Sequence, residues 1–431
     1  MRPCDANDPT FPYPPPIVAS GWHFQHLTSS LVHPRMIEFD SKGTLLVLDV
    51  GVGIVGLRAR QDPSTRCWEA SEKVSVVNDT TLTHGLALGK DGHSIYASSD
   101  TSVFRWTYDA VASLAFDMQT IVTGMSHDNG TRTLLIPSHN PHLLLVQTGT
   151  RIGADGTLPV VSTGQNQIKA FDLTTVKAGE PFDFLKDGAV LAYGLRNAVA
   201  VGEDSLGAIW SLENGANPLF RAGVDITADE PAEEMNYHGT LAGLDIISPR
   251  PASDFGFPAC STAWNVSDIP LNTGLRVDDQ FFATSTNITA IPILLESPVG
   301  APEGTVIKAN DAFCLHNTTR PILPLQPHLA PLDIKFLPDG NALFTSHGST
   351  EAGPGVPLNG YKVALIFGSS GFPIIGDGRG KIEDVLINQH DNQGCPDACF
   401  RPAGIALHPT QSNAVFVSAD STGDIFVLSR Y

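Results

Sequence analysis

Short apolar runs alternate with turns along the whole chain, and they do so in a repeating order. An apolar strand leads into a turn of Asp, Asn, Gly or Ser residues, a second apolar strand follows, and that strand closes in small polar residues. The order starts at Met36 (MIEFDSKGTLLVLD), Gly85 (GLALGKDGHSIYASSD), Leu134 (LLIPSHNPHLLLVQTG), Ala198 (AVAVGEDSLGAIWSLENG), Leu332 (LDIKFLPDGNALFTSHG) and Gly404 (GIALHPTQSNAVFVSAD). A further strand often follows, as in SVFRWTYD, NQIKAFDL, YKVALIFG and DIFVLSRY. Alternation with a period of two is the signature of strands, and Asp, Asn and Gly suit the tight turns between them. Six copies predict an all-β chain folded as a six-bladed β-propeller. One small sheet cannot cover both of its apolar faces, whereas six stacked around an axis can. The segment WHFQHL near the N-terminus is expected to pair beside the last strand, DIFVLSRY, and close the ring.

The fourth and fifth copies lie far apart, so residues 220–331 must hold outer strands together with long insertions. Nothing there reads as a Pro/Ser linker, and the chain is expected to form one domain over residues 1–431. Gly (40) and Pro (32) are scattered, as many tight turns require.

A formal charge of −19 argues against a nucleic-acid partner, because phosphate repels such a surface. No run of about 18 apolar residues predicts a membrane-spanning helix. Six cysteines, an even and sparse set, suit three disulfides in an oxidising compartment. Of about 15 pairings open to six cysteines, we expect Cys395–Cys399, Cys260–Cys314 and Cys4–Cys67. Glycosylation sequons at Asn78, Asn129, Asn265, Asn287 and Asn317 point to a secreted, extracellular glycoprotein. The opening MRPCDANDPTFPYPPP has no apolar core of a signal peptide, so the start is expected to be that of a mature form.

A propeller brings equivalent positions of different blades to one end of its axis. Arg35, Arg132, Arg196 and Arg401, with Lys362, His127 and His347, all flank strands of the copies. Each alone is as well explained by a bridge to a neighbouring blade. Together, in an acidic protein, they predict a central cavity for a ligand with several carboxylates, which guanidinium groups bind in bidentate fashion. Phosphate loops, nucleophile elbows and HExxH motifs are absent.

The stretch GLRNAVAV…GAIWSLENGA…EEMNYHG…DFGFP resembles the GLRNPxGxxF…LWxxENGP…DEIN…NYGWP signature of soluble pyrroloquinoline quinone (PQQ)-dependent sugar dehydrogenases. PRMIEF, TRTL, GYKV and FRPAGIALHP look more like the sorbosone dehydrogenase branch, and the export signals point to fungal pyranose dehydrogenases of auxiliary activity family 12. The resemblance runs from Pro34 to the C-terminus. It implies a six-bladed propeller with PQQ, which has three carboxylates, and Ca2+ in a central cofactor cavity. It implies that Arg196 and Asn197 contact the quinone, with His347 and Arg401 as further ligands and Arg35 and Lys362 carried over from the sorbosone-like motifs. Calcium would bind backbone carbonyls of the ENG turn, at Gly215 and Ala216, as a hard cation prefers oxygen. Ala198 and Ala216 replace prolines of the signature, which leaves those carbonyls intact. The family's general base is a histidine, for which His127 is the candidate and His84 the second choice. The implied activity is oxidation of a sugar by a monomer, with an external electron acceptor, a cytochrome or a copper oxidoreductase. Two other readings of the residues stand beside it: a calcium-dependent lactonase, and a non-catalytic carbohydrate-binding propeller.

Overall fold

The computed structural model describes Cys4 and residues 12–430, apart from 72, 128–129, 152, 157–159, 248, 288–308, 350–355, 377–378, 390–391 and 393. It is a six-bladed β-propeller. The inner strands are Pro34–Phe39, Leu82–Leu88, Leu134–Leu135, Ala200–Glu203, Pro331–Phe336 and Pro402–Leu407. They fall within three residues of the six starts expected from the repeat. Each is followed by an antiparallel second strand: Thr44–Asp49, Ser94–Ser99, Leu143–Thr148, Ala208–Glu213, Ala342–Ser346 and Ala414–Ala419. Blade 6 takes its outermost strand from the other end of the chain, since Trp22–Thr28 pairs antiparallel with Asp424–Arg430.

The core lies between blades. Leu46 and Leu48 face blade 2, packing with Leu82, Leu86 and Ile95. Their neighbours Leu45 and Val47 face the opposite way and pack with Ala406, Phe416 and Val427 of blade 6. The same division recurs around the ring, as with Trp210 and Leu212 against Ile334 and Phe344 between blades 4 and 5. Successive strand side chains point to opposite faces, so a strand buried on both sides reads as a continuous apolar run. This is why TLLVLD is buried at all six positions.

The pairing of inner and second strands is interrupted near the inner strand's start in four blades: between Pro34 and Ile37, Leu82 and Leu86, Pro331 and Asp333, and Pro402 and Ile405. Such bulges bend a strand and re-aim its side chains. Residues 220–331 supply the third and fourth strands of blade 4, Glu233–Thr240 and Leu323–Leu325, and an insertion. The insertion contains the hairpin Cys260–Thr262/Gln280–Phe282 and a short helix, Asp311–Asn317. Arg221 holds the helix through both Asp311 oxygens, at 2.7 and 2.6 Å. The disulfides are Cys4–Cys67, Cys260–Cys314 and Cys395–Cys399. Asn78, Asn287 and Asn317 are exposed and Asn265 is half-buried; Asn129 lies outside the described residues. No described helix is long and apolar enough to cross a membrane.

Candidate active site at the axial rim

Inner strands begin, and second strands end, at the same rim. The residue just after the second strand is Asp100 in blade 2, Asn214 in blade 4, His347 in blade 5 and Asp420 in blade 6. Asp420 is the hub. One of its carboxylate oxygens accepts from Arg35 Nη1 at 2.5 Å and the other contacts His347 Nε2 at 2.8 Å. Arg401 Nη2 reaches His347 Nδ1 at 2.8 Å, and its other bonds go to the carbonyls of His347 and Gly348. Burial alone would raise the Asp420 carboxyl, but His347 and Arg35 overcome it and hold the group well below the usual carboxylate range. Burial pushes His347 below the ordinary imidazole range, against the pull of Asp420. The bonds fix its tautomer. Arg401 can only donate, so His347 Nδ1 accepts and Nε2–H donates to Asp420.

Arg35 Nε also donates to His84 Nδ1 at 3.3 Å. Three inner-strand starts and two second-strand ends, drawn from blades 1, 2, 5 and 6, therefore meet in one network.

The other half of the rim belongs to blade 4. Arg196 Nη1 donates to the Gly215 carbonyl at 2.8 Å, and its backbone N–H donates to Glu213 at 2.5 Å. The Gly215 N–H donates to Glu233 at 3.1 Å. Burial pushes Glu233 up to about 8, and backbone N–H bonds from Gly215 and Ala330 oppose it. The Asn214 side chain joins the Asn197 carbonyl, at 3.1 Å, to that of Pro331 in blade 5, at 3.0 Å. The Asn197 side chain accepts from Thr131 at 3.2 Å. Gln147 Oε1, Thr83 Oγ1 and His84 Nε2 are buried here without hydrogen-bond partners among the described residues.

Not every expected residue joins the network. Arg132 is fully buried and donates to the carbonyls of Asp100, Thr131 and Ser126, which makes it part of the frame. Lys362 opens the third strand of blade 5 and pairs with Asp384 on the fourth at 2.8 Å, off the axial network. Ala216 is buried beside Gly215. His127 is exposed at the blade 2–3 edge of the rim, its Nδ1 3.3 Å from an Asp100 oxygen. Asp420 and Asp100 stand after second strands as His347 does, but they are anions, and a ligand with several carboxylates points to cations and histidines. The polar endings of the second strands, SSD and SAD, were the available signal.

A family model for TrAA12-like proteins matches residues 16–431. A PQQ-dependent sugar dehydrogenase of Hypocrea jecorina is 36% identical over 433 residues, 99% of this chain and 92% of that protein. A PQQ-dependent pyranose dehydrogenase of Coprinopsis cinerea is 32% identical over 96% of this chain, which spans 54% of that protein. Among solved structures, the calcium structure of a Trichoderma reesei AA12 enzyme superposes with a TM-score of 0.85 at 36% identity, covering 99% of this chain and 100% of that one. The holo PQQ domain of the Coprinopsis cinerea pyranose dehydrogenase superposes at 0.81 with 30% identity, covering 97% and 98%. Matched from Pro16 to the last residue, and at more than 30% identity to two relatives, the chain belongs to the TrAA12-like family.

Proposed function

We propose that the protein is a secreted, PQQ- and calcium-dependent pyranose dehydrogenase that oxidises a sugar hydroxyl and passes the electrons to an external acceptor. The observation that carries this reading is the gathering of Arg35, Arg401, His347 and Arg196 at one rim of an acidic propeller. The similarity to sugar dehydrogenases favours it over a lactonase or a non-catalytic propeller. Three disulfides and exposed sequons support secretion.

The rim fits the cofactor. Arg35, Arg196 and Arg401 suit carboxylates, and Asn197 with the partnerless Gln147 oxygen and His84 nitrogen adds polar contacts. The Gly215 and Ala216 carbonyls suit calcium, the Gly215 carbonyl requiring that Arg196 Nη1 give up its bond there. When bound, PQQ would supply a two-electron acceptor for hydride, and calcium would polarise it as a Lewis acid. The chain's own work is binding, orientation and proton removal. Asp420 holds Arg35 and His347 in fixed positions, so their alignment costs little when a ligand arrives. His127 is the proposed base. Its Nδ1–H donates to Asp100, which leaves the Nε2 lone pair free to take the proton of a sugar hydroxyl. His347, Asn197 and Lys362 remain proposed cofactor contacts, Lys362 requiring a change of partner from Asp384.

The test is titration of the purified protein with PQQ and calcium, followed by dye reduction with a panel of sugars. Saturable quinone binding at micromolar concentration, with sugar-dependent turnover, is expected. No binding would end the reading. His127→Ala should lower turnover by about 10²–10⁴ while quinone stays bound. If turnover persists in that variant, another group is the base.

A further inference from the structure

His84 is the third residue of its inner strand, inside the interrupted pairing between Leu82 and Leu86, and it is fully buried. Its backbone is closely packed against blade 3. A Cβ on Gly85 would sit 2.1 Å from the Arg132 carbonyl, and Gly85 N–H donates to Ser98 Oγ, which donates on to that same carbonyl. The ring's Nδ1 receives Arg35 Nε at 3.3 Å. A guanidinium has donors and no acceptor, so Nδ1 must carry a lone pair, and a neutral ring then carries its proton on Nε2. That Nε2–H has no hydrogen-bond partner among the described residues. Buried N–H groups are rarely left so.

We propose that His84 is a permanently neutral hydrogen-bond donor of the axial site, its Nε2–H serving an oxygen of the bound quinone, and that it is not the general base. The proposal rests on the dehydrogenase reading above. To act as base at Nε2, the ring would need its proton on Nδ1, which would set one N–H against another at Arg35. The ring's surroundings point the same way. Burial and the Arg35 charge push it well below the ordinary imidazole range, His347 adds to this, and only Asp420 opposes it. The ring thus stays neutral in neutral solution, and as a donor it strengthens contact with an oxygen that gains negative charge. His127 faces a carboxylate where His84 faces a guanidinium, and so takes the opposite tautomer. Two histidines of blades 2 and 3 thereby divide two tasks.

Nitrogen NMR of histidine-labelled protein reads the tautomer directly, with His84→Gln assigning the signal. The expected result is an Nε2–H ring that does not titrate between about pH 5.5 and 8.5. A proton on Nδ1, or titration in that range, would overturn the proposal. Quinone titration in calcium supplies the second arm. His84→Leu should weaken binding about ten-fold or more, while His84→Gln, which keeps a donor, should stay within about three-fold of wild type. Wild-type affinity in His84→Leu would sink the donor role alone. Absence of quinone binding in the wild type would sink the dehydrogenase reading and this proposal with it.

Discussion

A histidine's partner decides what it can do, and this protein carries three cases. Against a guanidinium at Nδ1, His84 and His347 become donors at Nε2; against a carboxylate, His127 becomes an acceptor there. A third kind is His238, buried in blade 4, with Nε2 2.8 Å from Ser211 Oγ and its ring edge-on to Phe255. Burial, reinforced by Arg250, pushes it down to about 3. The unfolded ring, near 6.5, binds a proton that the folded ring refuses. Its contribution to stability is therefore complete above about pH 6.5 and is lost as pH falls from there toward 3. Between pH 7 and 4.5 this group alone should cost on the order of 2–3 kcal/mol. Urea unfolding across that range should show a flatter acid limb for His238→Gln, and an unchanged slope would assign the effect elsewhere.

At the scale of elements, the interrupted inner strands are tied to the next blade by a repeated hydroxyl relay. Gly85 N–H donates to Ser98, which donates to the Arg132 carbonyl. Asp333 N–H donates to Thr345, which donates to the Ala403 carbonyl at 2.6 Å. Gly404 N–H donates to Ser418, which donates to the Arg35 carbonyl at 2.6 Å. Each hydroxyl satisfies a buried donor freed by the bulge and an acceptor of its neighbour. Blade contacts and the aim of Arg35, His84 and Arg401 thus depend on the same bonds. Ser418→Ala leaves both groups buried and unpaired, which should lower stability by about 1–3 kcal/mol. The exposed Ser412→Ala should change it by less than about 0.5 kcal/mol. Thermal and urea unfolding compare the two. In the sequence these hydroxyls appear only as small polar residues closing a strand, because what they bond to lies on another blade.

Across the whole molecule, the ring is closed by the N-terminal segment. Trp22–Thr28 covers the edge of Asp424–Arg430, and Asp424 is gripped by Tyr13 Oη at 2.7 Å and His26 Nε2 at 2.9 Å. At the far end of the axis, Lys335 of blade 5 meets Glu38 of blade 1 at 2.7 Å, past the intervening blade 6. Closure covers the outer edge of Asp424–Arg430, which would otherwise invite pairing with other chains. Deleting residues 1–28 should leave the outer edge of Asp424–Arg430 unpaired. The expected result is loss of the single cooperative transition in calorimetry and concentration-dependent light scattering. A truncated chain that stays monomeric and unfolds as before would refute this account of closure.

The six copies, their order and the closing strand were legible from alternation, since burial on two faces writes itself into each strand. The rim was half legible. Arg35, Arg196 and Arg401 stand out as cations near the starts of inner strands, and the Arg-Asn and Glu-Asn-Gly ends of blade 4 do meet, through Arg196 and the Gly215 carbonyl. Asp420 did not stand out, although Arg35 and His347 both depend on it. Nor could the sequence separate Arg132, which serves three backbone carbonyls, from Arg35, which bonds Asp420 and His84 at the rim. Sequence determines which groups arrive at the rim, because strand period and blade count fix positions along the chain. Tertiary structure alone decides which of them bond to each other, and so where each histidine keeps its proton, because those partners come from different blades.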